Sequence, residues 1–291
     1  LESVEATDDT TVVFTLKAGD DQTFPQVLSS PVGPIVDEDV FPADKLATDA
    51  EIVKGKGFAG QYSLESFDKG NLAAYKAFAD YKGLWGAAKT GEINVKYFAD
   101  EANLSQAIET KAVDVAFRSL SATDIEKFEG TKGLNVVKGP GGEIRYIVFN
   151  FNVQPFGATT PDADPAKALA VRQAAADLID RDKLSEQVFK GTYTPLYSYV
   201  PDGLTGATES LKGLYGDNEG GADPARAAKR LADAGVETPV VLNLQYAGER
   251  YGAASAEEYA QIKAQLETDG LFTVNLQSTE WGQFTKDRVE D

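Results

Sequence analysis

The side chains available for chemistry here are carboxylates, lysines, arginines and tyrosines, because the sequence holds no histidine and no cysteine. That removes Ser-His and Cys-His nucleophile pairs, thiolate catalysis, disulfides, and metal sites built on imidazole or sulfur. A carboxylate pair or a lysine is what remains for acid/base work. Two carboxylate pairs stand close in sequence, Asp162 with Asp164 and Asp180 with Asp182. A metal or acid/base site would need a third converging ligand or one carboxylate in apolar surroundings. Both pairs instead precede helical patterns, where a carboxylate accepts amide hydrogen bonds and meets the positive end of the dipole, so capping is the expected role. Asp217-Asn218-Glu219-Gly220 lacks the spaced oxygens of an EF-hand and reads as a solvated loop. Gly55-Lys56-Gly57-Phe58-Ala59-Gly60 matches G-x-G-x-x-G, but a dinucleotide site needs those glycines to lead into a helix. Here they lead into an alternating, strand-like segment, so a glycine-rich turn entering a hairpin is expected. Tyr193, Tyr197, Tyr199 and Tyr215 share one Pro/Gly-rich region, where aromatics either line a ligand cleft or pack the loop onto its own domain. No catalytic set, metal-ligand set or cofactor motif emerges, and an enzyme is not expected.

The elements that must position these residues follow from hydrophobic period and punctuation. The chain has 291 residues, 42% hydrophobic and 25% charged, enough to bury a sizeable core as two domains or one large one. With Lys+Arg 28 against Asp+Glu 46, the net charge of −18 would repel nucleic acid and anionic membranes. No apolar run approaches a membrane span, and the opening Leu1-Glu2-Ser3 shows no signal peptide. Thr11 to Leu16, Gln61 to Phe67 and Leu72 to Phe78 alternate as strands, the last two joined by Asp68-Lys69-Gly70. From Glu92 a strand, a helix carrying Leu104, Ala107 and Ile108, a second strand over Val113 to Phe117 and a helix over Thr123 to Phe128 make an α/β unit. Leu134 to Val137 reads as a further short strand. After the break Gly139 to Gly142, Ile144 to Asn152 is the longest β-favouring run and is expected to be a central strand. Asp164-Pro165 and Asp223-Pro224 start helices, and Val171, Ala174, Ala175, Leu178 and Ile179 form an apolar stripe. Pro239 to Tyr246, a helix opened by a capping box at Ser255-Ala256-Glu257-Glu258, and Phe272 to Leu276 read as a βαβ unit with parallel strands.

Several segments, in order, resemble the family-5 extracellular solute-binding proteins, which include dipeptide- and oligopeptide-binding proteins of ABC importers. Phe149-Asn150 with Pro155-Phe156, then Val171-Arg172-Gln173-Ala174, resemble the family's "FN…PF" turn and "VRQA" helix, and Ile179-Asp180-Arg181-Asp182 its "IDRD" step. Val4 to Val12 resembles a "V.A.DD.TV" strand, Gly57 to Leu64 a "GTGPY.L" segment, Asp80 to Gly83 an "NPDYWG" turn, and Ala227 to Gly235 an "A..LL.EAG" helix. Ala59-Gly60-Gln61, Ala79 and Lys82 depart from that pattern, which marks a divergent member.

The resemblance implies an α/β, two-lobed periplasmic-binding-protein-like fold with an extra subdomain, incomplete relative to the family. Residues 1–90 would belong to lobe I with the β-rich subdomain, 91–152 to the α/β part of lobe I with the crossover strand, and 153–291 to lobe II. It also implies ligand-binding roles for Tyr146, Phe149 and Asn150 on the central strand and for Phe189 and Lys190 after the following helix. The implied partners are a short peptide or other small solute and a membrane ABC permease. No nucleic acid, metal or cofactor is expected, and a monomer is. The implied location is extracytoplasmic, periplasmic or as a cell-surface lipoprotein. A same-fold receptor for an oligosaccharide, opine or metal chelate is the alternative, and a carboxylate-based glycosidase is a third.

Overall fold

The computed structural model describes residues 1–252 and 254–289, which fall into two compact units meeting in sequence at Asp100 and Glu101. In the first unit, β1 (Ser3–Asp8) and β2 (Thr11–Thr15) form an antiparallel hairpin. The Asp8 carboxylate accepts the Thr10 amide at 2.8 Å and tightens its turn. A short helix α1 (Phe24–Leu28) and α2 (Asp49–Gly55) follow. A capping box opens α2: Thr48 Oγ1 accepts the Glu51 amide at 3.3 Å and Glu51 Oε2 accepts the Thr48 amide at 2.8 Å. Then β3 (Tyr62–Asp68), β4 (Leu72–Ala77) and β5 (Glu92–Lys96) build an antiparallel sheet in that order. Gly70, at φ +79°, supplies the turn between β3 and β4. The glycine-rich stretch runs from the end of α2 into β3, as the sequence predicts. A Cβ on Gly55 or Gly57 would come within 2.5 or 2.9 Å of Val40, so close packing accounts for both glycines.

One expectation is corrected here. Glu92 to Lys96 does not open an α/β unit; β5 pairs antiparallel with β4, Tyr75 opposite Ile93, and completes the β-rich sheet.

The second unit begins with α3 (Glu101–Glu109) and α4 (Ala122–Glu129), joined by Ser105 Oγ donating to Asp124 at 2.8 Å. Its core is built by α5 (Pro165–Leu178), α7 (Pro224–Asp233) and α9 (Ser255–Leu266) against the parallel pair β6 (Val240–Tyr246) and β7 (Phe272–Ser278). Between them lie α6 (Arg181–Lys183), which runs on as one π-helical turn over Leu184–Val188, and α8 (Gly248–Tyr251). The last helix is α10 (Trp281–Val289). Val171, Ala174, Leu178, Leu231, Val240, Leu242, Ile262, Leu266, Phe272 and Val274 are buried together, and each large aliphatic side chain among them contributes about 1.5–3 kcal/mol. Asp164, Asp180 and Asp223 cap α5, α6 and α7 by accepting first-turn amides, so the suspected carboxylate pairs each spend one member on a helix start.

The remaining strand expectations fail. Among the described residues no strand forms over Val113 to Phe117, Leu134 to Val137 or Ile144 to Asn152. Each segment favours extended backbone, but a strand exists only where a neighbour completes its hydrogen-bond ladder, and neither β6 nor β7 reaches them. The expected capping box at Ser255 is also absent. Ala254 takes the N-cap position with helical dihedrals, which places Ser255 inside α9, and Glu258 is drawn to another partner.

Candidate functional site

Arg145 organises a cluster in the second unit. One guanidinium nitrogen donates to Glu258 of α9, and the other donates to the Tyr251 carbonyl at 2.5 Å and to Ser255 Oγ at 3.4 Å. The rings of Phe189, Tyr193 and Tyr251 lie 5.3, 5.5 and 5.8 Å from the guanidinium carbon. This is the geometry in which a planar cation gains from aromatic faces while its N–H groups stay directed. Glu258 is buried, and burial pushes its carboxyl above the usual range against the opposing pull of Arg145. The next residue, Tyr259, stacks on Tyr246 with centroids 4.3 Å apart, and burial raises its phenol to about 12.

A second set of rings continues from Tyr251. Trp281 and Phe284, on the first turn of α10, stack at 5.8 Å, and Tyr251 meets them edge-on at 6.0 and 6.2 Å. The exposed guanidinium of Arg250 sits over Trp281 at 5.3 Å. Among the described residues no carboxylate pairs with Arg250. In a chain of net charge −18, an arginine held on an indole with its donors open is equipped to take a carboxylate through two parallel hydrogen bonds.

The residues anticipated from sequence have unequal fates. Tyr146 is 68% exposed, on irregular backbone. Phe149 is half-buried against the hydrophobic core, and Asn150 Oδ1 accepts the Asn152 amide at 2.9 Å in a local turn. Phe189 is buried and packs on Tyr193 at 4.1 Å, so Phe189 and the segment carrying Tyr146 are brought together through Arg145. Lys190 is exposed, in the left-handed region at φ +51°. Of the tyrosine group, Tyr193 is 46% exposed and Tyr199 points out, whereas Tyr197 is buried and Tyr215 lies under Arg230. Sequence reasoning missed Arg145, Arg250, Tyr251 and Glu258, because nothing in local spacing links Arg145 to partners more than a hundred residues away or Arg250 to Trp281.

The first unit carries a separate open cleft of about 380 Å³ between α2 and its sheet, lined by Ile52, Phe58, Tyr62, Leu64, Phe67 and Tyr75. Among the described residues no group of carboxylates is arranged to hold a metal ion, and no helix is long and apolar enough to cross a membrane.

The model of the bacterial extracellular solute-binding proteins, family 5 Middle, matches residues 1–291. The dipeptide-binding protein of Escherichia coli (strain K12) is 23% identical over 301 aligned residues, covering 96% of this chain and 51% of that protein. The chain thus spans about half the length of the curated relative it matches. The crystal structure of the ABC transporter substrate binding protein CtaP from Listeria monocytogenes superposes with a TM-score of 0.76 at 21% identity, covering 99% of this chain and 54% of that one. The binding protein AgaA from A. tumefaciens R10, in complex with agropinic acid, superposes with a TM-score of 0.65 at 20% identity over 98% of this chain and 53% of its own. The mixed α/β fold is therefore that of periplasmic binding proteins, and the chain covers part of it.

Proposed function

As the chain belongs to family 5 of the bacterial extracellular solute-binding proteins, we propose that it is a large part of the extracytoplasmic substrate-binding component of an ABC importer that captures short peptides. The observation that carries this reading is the face formed by Arg250, Tyr251, Trp281 and Phe284, linked through Arg145 to Tyr193, where rings stand beside a guanidinium with open donors. A peptide offers what such a face can hold: a terminal carboxylate for Arg250 and apolar side chains of varied shape for the rings. Tyr146, Phe149, Asn150, Phe189 and Lys190 are assigned to the same ligand region. Tyr146 and Lys190 are exposed and free to make contact, and Phe149, Asn150 and Phe189 act as its supports. Backbone and terminal groups are common to all peptides and water satisfies variable side chains, so specificity is broad. Closure of the receptor over its ligand then presents the loaded form to a permease. The protein acts as a receptor rather than an enzyme: Asp164 and Asp180, one from each suspected carboxylate pair, serve as helix caps. Its place is outside the cytoplasm, in the periplasm or as a surface lipoprotein, and it works as a monomer.

A second reading has one observation in its favour. A guanidinium on an indole selects a carboxylate, not a peptide bond, so a carboxylate-bearing solute of the opine kind would satisfy Arg250 equally well. Native mass spectrometry of freshly purified full-length receptor, followed by titration calorimetry against a pool of di- to hexapeptides, separates the two. Peptide masses and measurable heat are expected. A non-peptide acid carried through purification, with no heat from the pool, overturns the peptide assignment.

A further inference from the structure

We propose that Arg145 is a positioning residue for ligand capture: it fixes the 145–152 segment and the rings of Tyr193 and Tyr251 in the arrangement that accepts solute. The inference rests on the reading that this face binds the ligand. Three stretches distant in sequence meet at one guanidinium: Arg145 itself, the Phe189–Tyr193 turn, and the α8–α9 junction from Tyr251 to Glu258. Among the described residues no backbone hydrogen bond registers residues 144–149 against another element. The contacts of Arg145 are therefore what places the start of that segment, with Phe149 seated in the core at its far end. The rings gain as well. Tyr193 and Tyr251 are both partly exposed, and each has one face near the cation, which restricts its rotamers before any ligand arrives. Order established in the free protein lowers the entropy lost on binding.

The chemistry required is specific to arginine. Nη1 addresses a carboxylate while Nη2 addresses a carbonyl, and the plane of the group lies among three rings. Lysine would keep the charge but supplies neither the fixed fork nor the stacking plane. Arg145 also stands outside the buried aliphatic cluster that holds α5, α7, α9, β6 and β7 together, so the fold has its own support.

The test compares full-length wild type with Arg145→Lys, Arg145→Gln and Glu258→Gln by three measurements. The first is hydrogen exchange, without ligand, of the hydrogen-bonded amides in 152–154 and 189–192, which flank the two segments. The second is affinity for trialanine by calorimetry. The third is the melting temperature. All three variants are expected to exchange faster in both sets of amides and to bind about tenfold more weakly, with Arg145→Lys keeping the melting temperature within about 3 °C. Unchanged exchange in both sets overturns the proposal. So does raised exchange with trialanine affinity within about twofold of wild type, because the clasp would then order the segment without serving capture. If wild type takes no trialanine, the peptide assignment fails by itself. The affinity comparison is then made with the solute found by native mass spectrometry, and the exchange criterion stands unaltered.

Discussion

Asp177 has no solvent exposure, and its carboxylate lies between two arginines of α7. Arg230 Nε donates to its carboxylate at 2.5 Å, Arg226 Nε lies 3.5 Å away, and the Gly216 amide donates at 2.9 Å. The same arginines reach Gly216, Asn218 and Leu214, so the network pins the irregular 212–221 loop to α5 and α7. Removing the carboxylate leaves two partly buried cations without their shared anion. Asp177→Ala should therefore destabilise the second unit by about 3–5 kcal/mol, read from the denaturant midpoint of the β6–β7 region. A loss below about 1 kcal/mol would mean that water replaces the carboxylate and the pair is not desolvated. Neither this network nor the Arg145 clasp was legible in the sequence, and the reason is the same for both. The hydrogen-bond partners of Arg145 lie 106 to 113 residues away, and those of Asp177 up to 53, and charge pairs leave no periodic trace. Phe189 and Tyr146 were singled out by likeness to a family pattern alone, which preserves position but is silent on what each side chain touches.

Thr48 and Ser255 each stand at a helix start with Glu three residues on, and only the first pair forms a capping box. At α2, Thr48 is extended and exchanges hydrogen bonds with Glu51 in both directions. At α9, Arg145 captures Glu258 and the helix starts one residue earlier than the motif predicts. The motif is a local statement, and a single long-range cation outweighs it. Thr48→Ala should cost about 1 kcal/mol of α2 stability. The Glu51 carboxyl is held down to about 2 by the Thr48 amide, by Lys45 and by the Thr48 hydroxyl. A depressed native value means that its contribution is full above the ordinary 4.5 and fades as pH falls from there towards 2. Glu51→Gln should flatten the acid slope of α2 protection in that window, and an unchanged slope would place the acid sensitivity elsewhere. The same contrast governs what could be read of the fold. The β3–β4 hairpin, the aspartate-capped helices and the βαβ unit were legible because turn residues, caps and period all lie within a few positions. The strands expected at 113–117, 134–137 and 144–152 were not safe to infer, since extended propensity says nothing about whether a ladder partner is at hand.

On the scale of the molecule, the two units are built to different standards of burial. In the first, Gly57 and Ala73 are the buried positions, β2 and β5 are exposed along their whole length, and the aromatic side chains around α2 line an open cleft instead of closing it. In the second, three helices close over β6 and β7, and Val171, Ala174, Ala227 and Val274 are wholly shielded from solvent. Apolar burial is the main favourable term in folding, so the free energy of opening should differ between the units in the same sense. Native-state hydrogen exchange is expected to show β3–β5 amides opening at lower denaturant than those of β6–β7. Leu231→Ala, which empties a fully buried site on α7 within the core cluster, should lower protection in β6–β7 by about 2–5 kcal/mol and leave β3–β5 nearly unchanged. If every amide reports one opening free energy, and the Leu231 variant lowers all of them equally, the units unfold as one cooperative body and the inference from burial fails. Separate openings would mean that the first unit can rearrange at little cost while the second keeps the Arg145 clasp and the Arg250 face intact.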